Sequence, residues 1–169
     1  MHLGDRYGNL FQMSYITRDM DAAIAHVERE IGLGTLKVSE SSVEVLSFGE
    51  PATLSVKAAI ANHGSNQFEI IQPVAGPVEI YTDEVDLGAH ILNFHHVAIA
   101  VPGPYTEWEK LLADVRESGD SLALLFPAQP DPDAKICFCY VDTRARIGHY
   151  TEYLWVDPAL AGMVGAPAA

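Results

Sequence analysis

The chain has 169 residues, of which 49% are hydrophobic and 20% charged, so it can bury a core and is not a disordered polyelectrolyte. Its formal net charge of -13 and pI near 4.7 describe a surface that repels nucleic-acid phosphates and anionic lipid headgroups, so neither is an expected partner, and the charge says little about a small ligand. No apolar run approaches the roughly 18 residues of a membrane span. The first residues, Met1 to Arg6, show no basic-then-apolar leader pattern, so a cytoplasmic location is expected.

Residues 10–16 read as a strand. Asp19 then caps a helix whose apolar side carries Ile24, Val27 and Ile31, and Gly32 and Gly34 end it. Strands are expected over residues 42–48, 53–59 and 67–72. Pro73, Gly76 and Pro77 break the pattern, and residues 73–92 read as a connection. The order then repeats. A strand over 93–101 leads to the turn Pro102-Gly103-Pro104. Thr106 and Glu109 have capping-box spacing at the start of a second helix. Trp108, Leu111, Leu112 and Val115 give that helix its apolar stripe, and Gly119 stops it. Strands follow over 121–126, 136–141 and 150–156. Cys137 and Cys139 fall on the second of these and read as buried strand cysteines, because two cysteines cannot supply a four-ligand zinc site.

The chain is therefore a duplicated β-α-β-β-β pattern. Its expected divisions are an N-terminal extension (1–8), a first module (9–73), a linker (74–92), a second module (93–157) and a flexible C-terminal tail (158–169). The first strand of each module carries a polar residue at a matched place, Gln12 and His96. The last strand of each carries Glu69 and Glu152. Strand alternation puts Gln12 opposite a bulky face of Phe11, Met13 and Tyr15. It groups His96 with Phe94, Ala98 and Ala100, and turns His95 and His149 to the other faces.

A carboxylate within an apolar strand is costly unless it is exposed, paired or bound to a cation. Any one of the four residues alone reads as an ordinary solvent-side polar group. Their matched placement in both halves favours a shared divalent ion. Three oxygen donors and one nitrogen suit zinc, nickel, cobalt, manganese or magnesium.

Several segments carry a family resemblance: Thr17-Arg18-Asp19-Met20-Asp21-Ala22-Ala23, Phe68-Glu69-Ile70-Ile71-Gln72-Pro73, Phe94-His95-His96-Val97-Ala98-Ile99 and Gly148-His149-Tyr150-Thr151-Glu152-Tyr153-Leu154. In this order and spacing the chain resembles the vicinal oxygen chelate superfamily, with a layout similar to methylmalonyl-CoA epimerase-like and glyoxalase-like members. The resemblance implies an α+β fold in which two tandem βαβββ modules form a half-open mixed β-sheet barrel around a metal, with helices outside. It implies that Gln12, Glu69, His96 and Glu152 hold the ion, that Glu152 and Glu69 act as proton-transfer bases, and that the chain forms a homodimer. The activity it implies is isomerase, epimerase or lyase chemistry on a small oxygen-chelating carbonyl compound. Ile16 and Pro73 stand where glutathione-using members carry polar contacts, so glutathione is not expected. A drug-type binding protein of the same fold is the alternative. A ring-cleaving dioxygenase is less well matched, since its iron site resembles two His and one carboxylate and only one of the four positions here is His. Arg144 and Arg146 are candidates for meeting an anionic substrate, Tyr150 for lining a pocket, and His26 and His63 for solvated positions.

Overall fold

The computed structural model describes residues 7–83 and 85–160. Residues 1–6 of the expected extension, and the expected tail from residue 161 onward, lie outside the described residues. The described chain runs β1 (Leu10–Ile16), α1 (Met20–Glu30), β2 (Lys37–Ser47), β3 (Glu50–His63), β4 (Asn66–Ala75), α2 (Glu79–Thr82), β5 (Asn93–Val101), α3 (Tyr105–Ser118), β6 (Leu122–Phe126), β7 (Ile136–Val141), α4 (Arg144–Ile147) and β8 (Tyr150–Val156).

The strands close into a barrel in the order β1-β4-β3-β2-β6-β7-β8-β5. Within each half the first and last strands pair in parallel, β1 with β4 and β5 with β8. The remaining neighbours are antiparallel, so the sheet is mixed as expected. Closure is uneven: β2 meets β6 at two register pairs, Leu46↔Leu125 and Ser47↔Leu124. Beyond that short seam β2 continues with β3 alone, in register from Lys37↔Ile60 to Ser47↔Glu50. The half-open barrel is thus closed by a narrow strap. The sequence pattern missed the first half of β2 because residues Lys37–Ser42 are exposed and carry no alternation. Hydrogen bonds to β3 hold them extended, and Phe48 and Gly49, both at positive φ, make the two-residue hairpin turn.

Helix α1 begins where expected, with the Asp19 carboxylate accepting from Ala22 N at 3.0 Å. It packs Met20, Ala23 and Val27 against Ala59, Ala61, Phe68 and Ile70 on the outside of β3 and β4. Ile31, assigned to the buried stripe, follows the last helical residue and is 50% exposed. Helix α3 packs Trp108, Leu111 and Val115 against Cys137, Cys139, Tyr153 and Trp155 of β7 and β8. Both cysteines are free and buried under this helix. Gly119 ends α3 in the left-handed conformation. The capping box does not form: the helix starts at Tyr105 with Pro104 as its cap, which leaves Thr106 one residue inside and no side-chain cap bond.

Residues 73–92 are more than a connection. Strand β4 continues to Ala75, and α2 drives Ile80 and Tyr81 into the barrel interior among Ile16, Leu54, Ile71 and Tyr140. Replacing Asp19 by Ala should cost about 1 kcal/mol of stability through the lost cap. Thr106→Ala should change it by no more than a few tenths, in line with an ordinary helix position. Urea unfolding of the two variants beside the parent chain measures both.

Candidate metal and acid–base site

The two halves meet along an antiparallel seam between β1 and β5. The registers are related by an approximate two-fold. Gln12 faces Ala98 and Ser14 faces His96 across the seam. In the parallel pairs, Glu69 stands beside Ser14 and Glu152 beside Ala98. Each glutamate therefore lies next to the residue two places after the polar residue of its own half. Small side chains at Ser14 and Ala98 leave the centre open. This register brings Glu69, His96 and Glu152 together inside the barrel, with Gln12 buried on the same wall of the cavity.

The seam carries one extra residue on each strand. The register steps from Leu10↔Ile99 to Gln12↔Ala98, leaving Phe11 unopposed, and from Ser14↔His96 to Tyr15↔Phe94, leaving His95 unopposed. Each bulge immediately precedes the polar residue of its half and overrides alternation there. Phe11 turns inward onto Ala98, Ala100 and Leu154 instead of packing under a helix. Met13 is 41% exposed rather than covered. Phe94, expected beside His96, faces outward against Tyr15 and His149. His95, expected on the other face, is inside.

His95 orders the site. Its Nε2 donates to the Ile80 carbonyl of α2 at 2.8 Å, and its Nδ1 lies 2.8 Å from His96 Nδ1. Burial pushes the His95 pKa down to about 3, with His96 adding to the shift, so the ring is neutral near pH 7. A neutral His95 protonated on Nε2 must accept at Nδ1, so His96 Nδ1–H donates to it. His96, whose pKa burial lowers to about 4 against the pull of Glu69, is then left with a bare lone pair on Nε2. That atom is fully buried and makes no hydrogen bond; Glu152 Oε2 faces it at 3.1 Å and Glu69 Oε2 at 3.6 Å. Burial raises Glu152 to about 8. It raises Glu69 to about 7, with Glu152 adding to the shift and His96 and Ser14 opposing it. Both nitrogens of His95 are engaged, so the site does not present two histidines and a carboxylate to an ion.

Gln12 is oriented by a second relay. Gln67 donates through Nε2 to Asn62 Oδ1 at 3.1 Å and accepts from Gln12 Nε2 at 2.5 Å. Gln12 Oε1 is thereby left buried without a partner. These groups sit at one end of a cavity of about 420 Å³ whose walls include Leu54, Val56, Ile71, Phe126, Phe138, Leu154 and Val156. Tyr81 and Tyr140 also line it, and neither was singled out in the sequence. The signal for Tyr81 was the apolar Ile80-Tyr81 pair within a segment read as a connection. Arg144 is bound to Asp142 through Nε and Nη2 and lies over the Tyr150 ring. Arg146 pairs with Asp120. Tyr150 packs into the interior cluster rather than onto the cavity wall, and His63 stays exposed. His26 is half-buried on α1 beside Arg29.

Among the described residues, no set of three or more His, Cys, Asp and Glu side chains is placed, as it stands, to hold a metal ion. The chemistry of the donors nevertheless fits a divalent cation. An uncharged imidazole lone pair, two carboxylates raised by burial and an orphaned amide oxygen all lack positive charge. The nitrogen-to-oxygen separations of 3.1 and 3.6 Å are close to the roughly 3.0–3.5 Å between donors that share an ion at 2.0–2.2 Å. In protein stripped of divalent metal, the raised carboxylates bind more protons in the folded than in the unfolded chain, so they oppose folding once ionised. The lowered histidines act in the opposite sense below their unfolded pKa of about 6.5. Between about pH 6.5 and 8 the carboxylates act alone, and stability should fall as pH rises. Thermal melts across that range should show the fall, and added zinc should reduce it.

No family model matches the chain, and no curated protein matches it by sequence. Solved structures do match. A methylmalonyl-CoA epimerase from Mycobacterium tuberculosis superposes with a TM-score of 0.56 at 14% identity, over 93% of both chains. A methylmalonyl-CoA epimerase in complex with methylmalonyl-CoA and NH4+ gives 0.55 at 14% identity, over 89% of this chain and 95% of its own. A hypothetical protein from Bacillus halodurans gives 0.52 at 18% identity, over 88% of this chain and 94% of its own. The duplicated βαβββ barrel therefore shares the fold of the methylmalonyl-CoA epimerases.

Proposed function

We propose that this protein is a metal-dependent enzyme of the isomerase, epimerase or lyase kind, moving a proton at the carbon beside a carbonyl of a small oxygen-bearing substrate. The observation that carries the reading is the convergence of two buried carboxylates on an uncharged imidazole lone pair at the polar end of an apolar cavity. Gln12, Glu69, His96 and Glu152 would hold the ion. Bound there, a divalent cation would stabilise the negative charge that grows on the substrate oxygen as the proton leaves. His96 keeps the lone-pair tautomer because His95 and the Ile80 carbonyl fix it. Glu152 removes the proton, and Glu69, on the other parallel strand pair, returns one from its own side. The apolar walls exclude water from the carbanion. The epimerase neighbours support the reading at the level of fold alone; a cytoplasmic homodimer is part of the same proposal.

Metal analysis of chain purified without chelators should find about one equivalent of divalent ion, and Glu69→Ala should weaken its affinity by about 10-fold or more. A protein that takes up no divalent ion at neutral pH would overturn the assignment. Glu152→Gln should lower metal-dependent exchange of substrate α-protons with heavy water by at least about 100-fold, read by proton NMR on a panel of small ketones. Equal loss of metal and exchange would make Glu152 a ligand alone. The apolar cavity also suits a non-catalytic binding protein, which would bind such ketones and exchange none of their protons.

A further inference from the structure

Tyr81 and Tyr140 both line the cavity, with their phenol oxygens 3.4 Å apart. Tyr81 is 2% exposed and Tyr140 3%. A phenol keeps its proton at neutral pH, so each is a donor there. One hydrogen bond between two hydroxyls uses one proton and leaves the other without an acceptor among the described residues. A buried, unused O–H donor is costly unless something in the cavity accepts from it. The position is specific. Tyr140 lies beside Glu152 in the sheet, and its ring packs on His96 with centroids 4.8 Å apart. Tyr81 is carried by α2, whose Ile80 carbonyl fixes His95. The spare proton therefore stands next to the carboxylate and imidazole cluster.

Charge narrows the ligand further. No Lys or Arg lines this cavity among the described residues. The two arginines that the sequence offers for an anion are tied to Asp142 and Asp120. Glu69 and Glu152 would already balance the two charges of a bound ion, so an anionic ligand entering here would lose its hydration with no spare countercharge.

We propose that the substrate is an uncharged, compact apolar ketone or hydroxyketone with two neighbouring oxygens, one taken at the Glu69–His96–Glu152 cluster and the second accepting a hydrogen bond from the Tyr81–Tyr140 pair. This rests on the proton-transfer reading for its first oxygen and adds the group that holds the second. It excludes substrates whose carboxylate or phosphates would have to enter the cavity.

The test is calorimetric titration of the full chain, with and without equimolar zinc. The probes are α-hydroxyacetophenone, acetophenone, the anionic benzoylformate and propionyl-CoA. The neutral hydroxyketone should bind, and benzoylformate and propionyl-CoA should bind at least about tenfold more weakly. The double variant Tyr81→Phe/Tyr140→Phe should weaken α-hydroxyacetophenone by about three- to tenfold, the range of one hydrogen bond. It should leave acetophenone, which lacks the second oxygen, unchanged, and that difference separates a hydrogen bond from general loss of packing. A thermal melt checks that the double variant folds; if it does not, each single Tyr→Phe variant is titrated with the same pair of probes. Equal or tighter binding of either anion, equal weakening of both ketones, or no binding of either neutral ketone would overturn the proposal. Binding that depends on the phenols without any α-proton exchange would remove the proton-transfer reading and leave the phenol site standing.

Discussion

The site depends on the antiparallel seam between β1 and β5. Gln12, Glu69, His96 and Glu152 lie on this pair and on its two parallel neighbours, β4 and β8. A regular seam would have turned Phe11 and His95 to the outside. One extra residue on each strand turns both inward, next to Gln12 and His96. The cost is a locally interrupted ladder. The result is a pair of adjacent inward residues in each half, filled differently: an apolar plug in the first, a second imidazole in the second.

That difference makes the centre asymmetric although the backbone is duplicated. On the His96 side, the Ile80 carbonyl sets the tautomer of His95, and His95 sets that of His96. On the Gln12 side, Asn62 orients Gln67 and Gln67 orients Gln12. Both relays end in a buried acceptor with no proton donor of its own. With two carboxylates beside them, the enclosed groups add up to an excess of lone pairs. A cation, or protons held by Glu69 and Glu152 in its place, answers that excess. This is why the proposed ion binding, the dependence of stability on pH and the proposed acid–base chemistry fall at one point in the molecule.

The uneven closure of the barrel supplies the remaining element. Because β2 and β6 touch over two register pairs, the strands beyond the strap diverge and leave the apolar cavity between β2, β3, β7 and the polar centre. Helix α2 enters the same interior from the segment joining the halves, so the connection contributes a hydrogen-bond acceptor to His95 and a phenol to the cavity wall. The halves share strands and helices, but the chain between them completes the site.

Much of this was legible in the sequence. Apolar periodicity with the Asp19 cap and Gly119 stop located both long helices, and the repeated order of elements located the modules. The 84- and 83-residue offsets between Gln12 and His96 and between Glu69 and Glu152 singled out four residues that fold into one interior. Local patterns carry such information because a strand or helix shows its buried face in its own residues. Three things were settled by tertiary contacts. His95 and Phe11 face inward because a bulge is a mismatch between two strands and leaves no mark in either alone. Thr106 does not cap because Pro104 already fixes where α3 begins. Tyr81 reaches the cavity because α2 is placed by the barrel around it. The sequence by itself determined the duplicated layout and the four polar residues that enter its interior. The pairing of distant strands decided which way those residues point, which tautomer His96 holds and what shares the cavity with them.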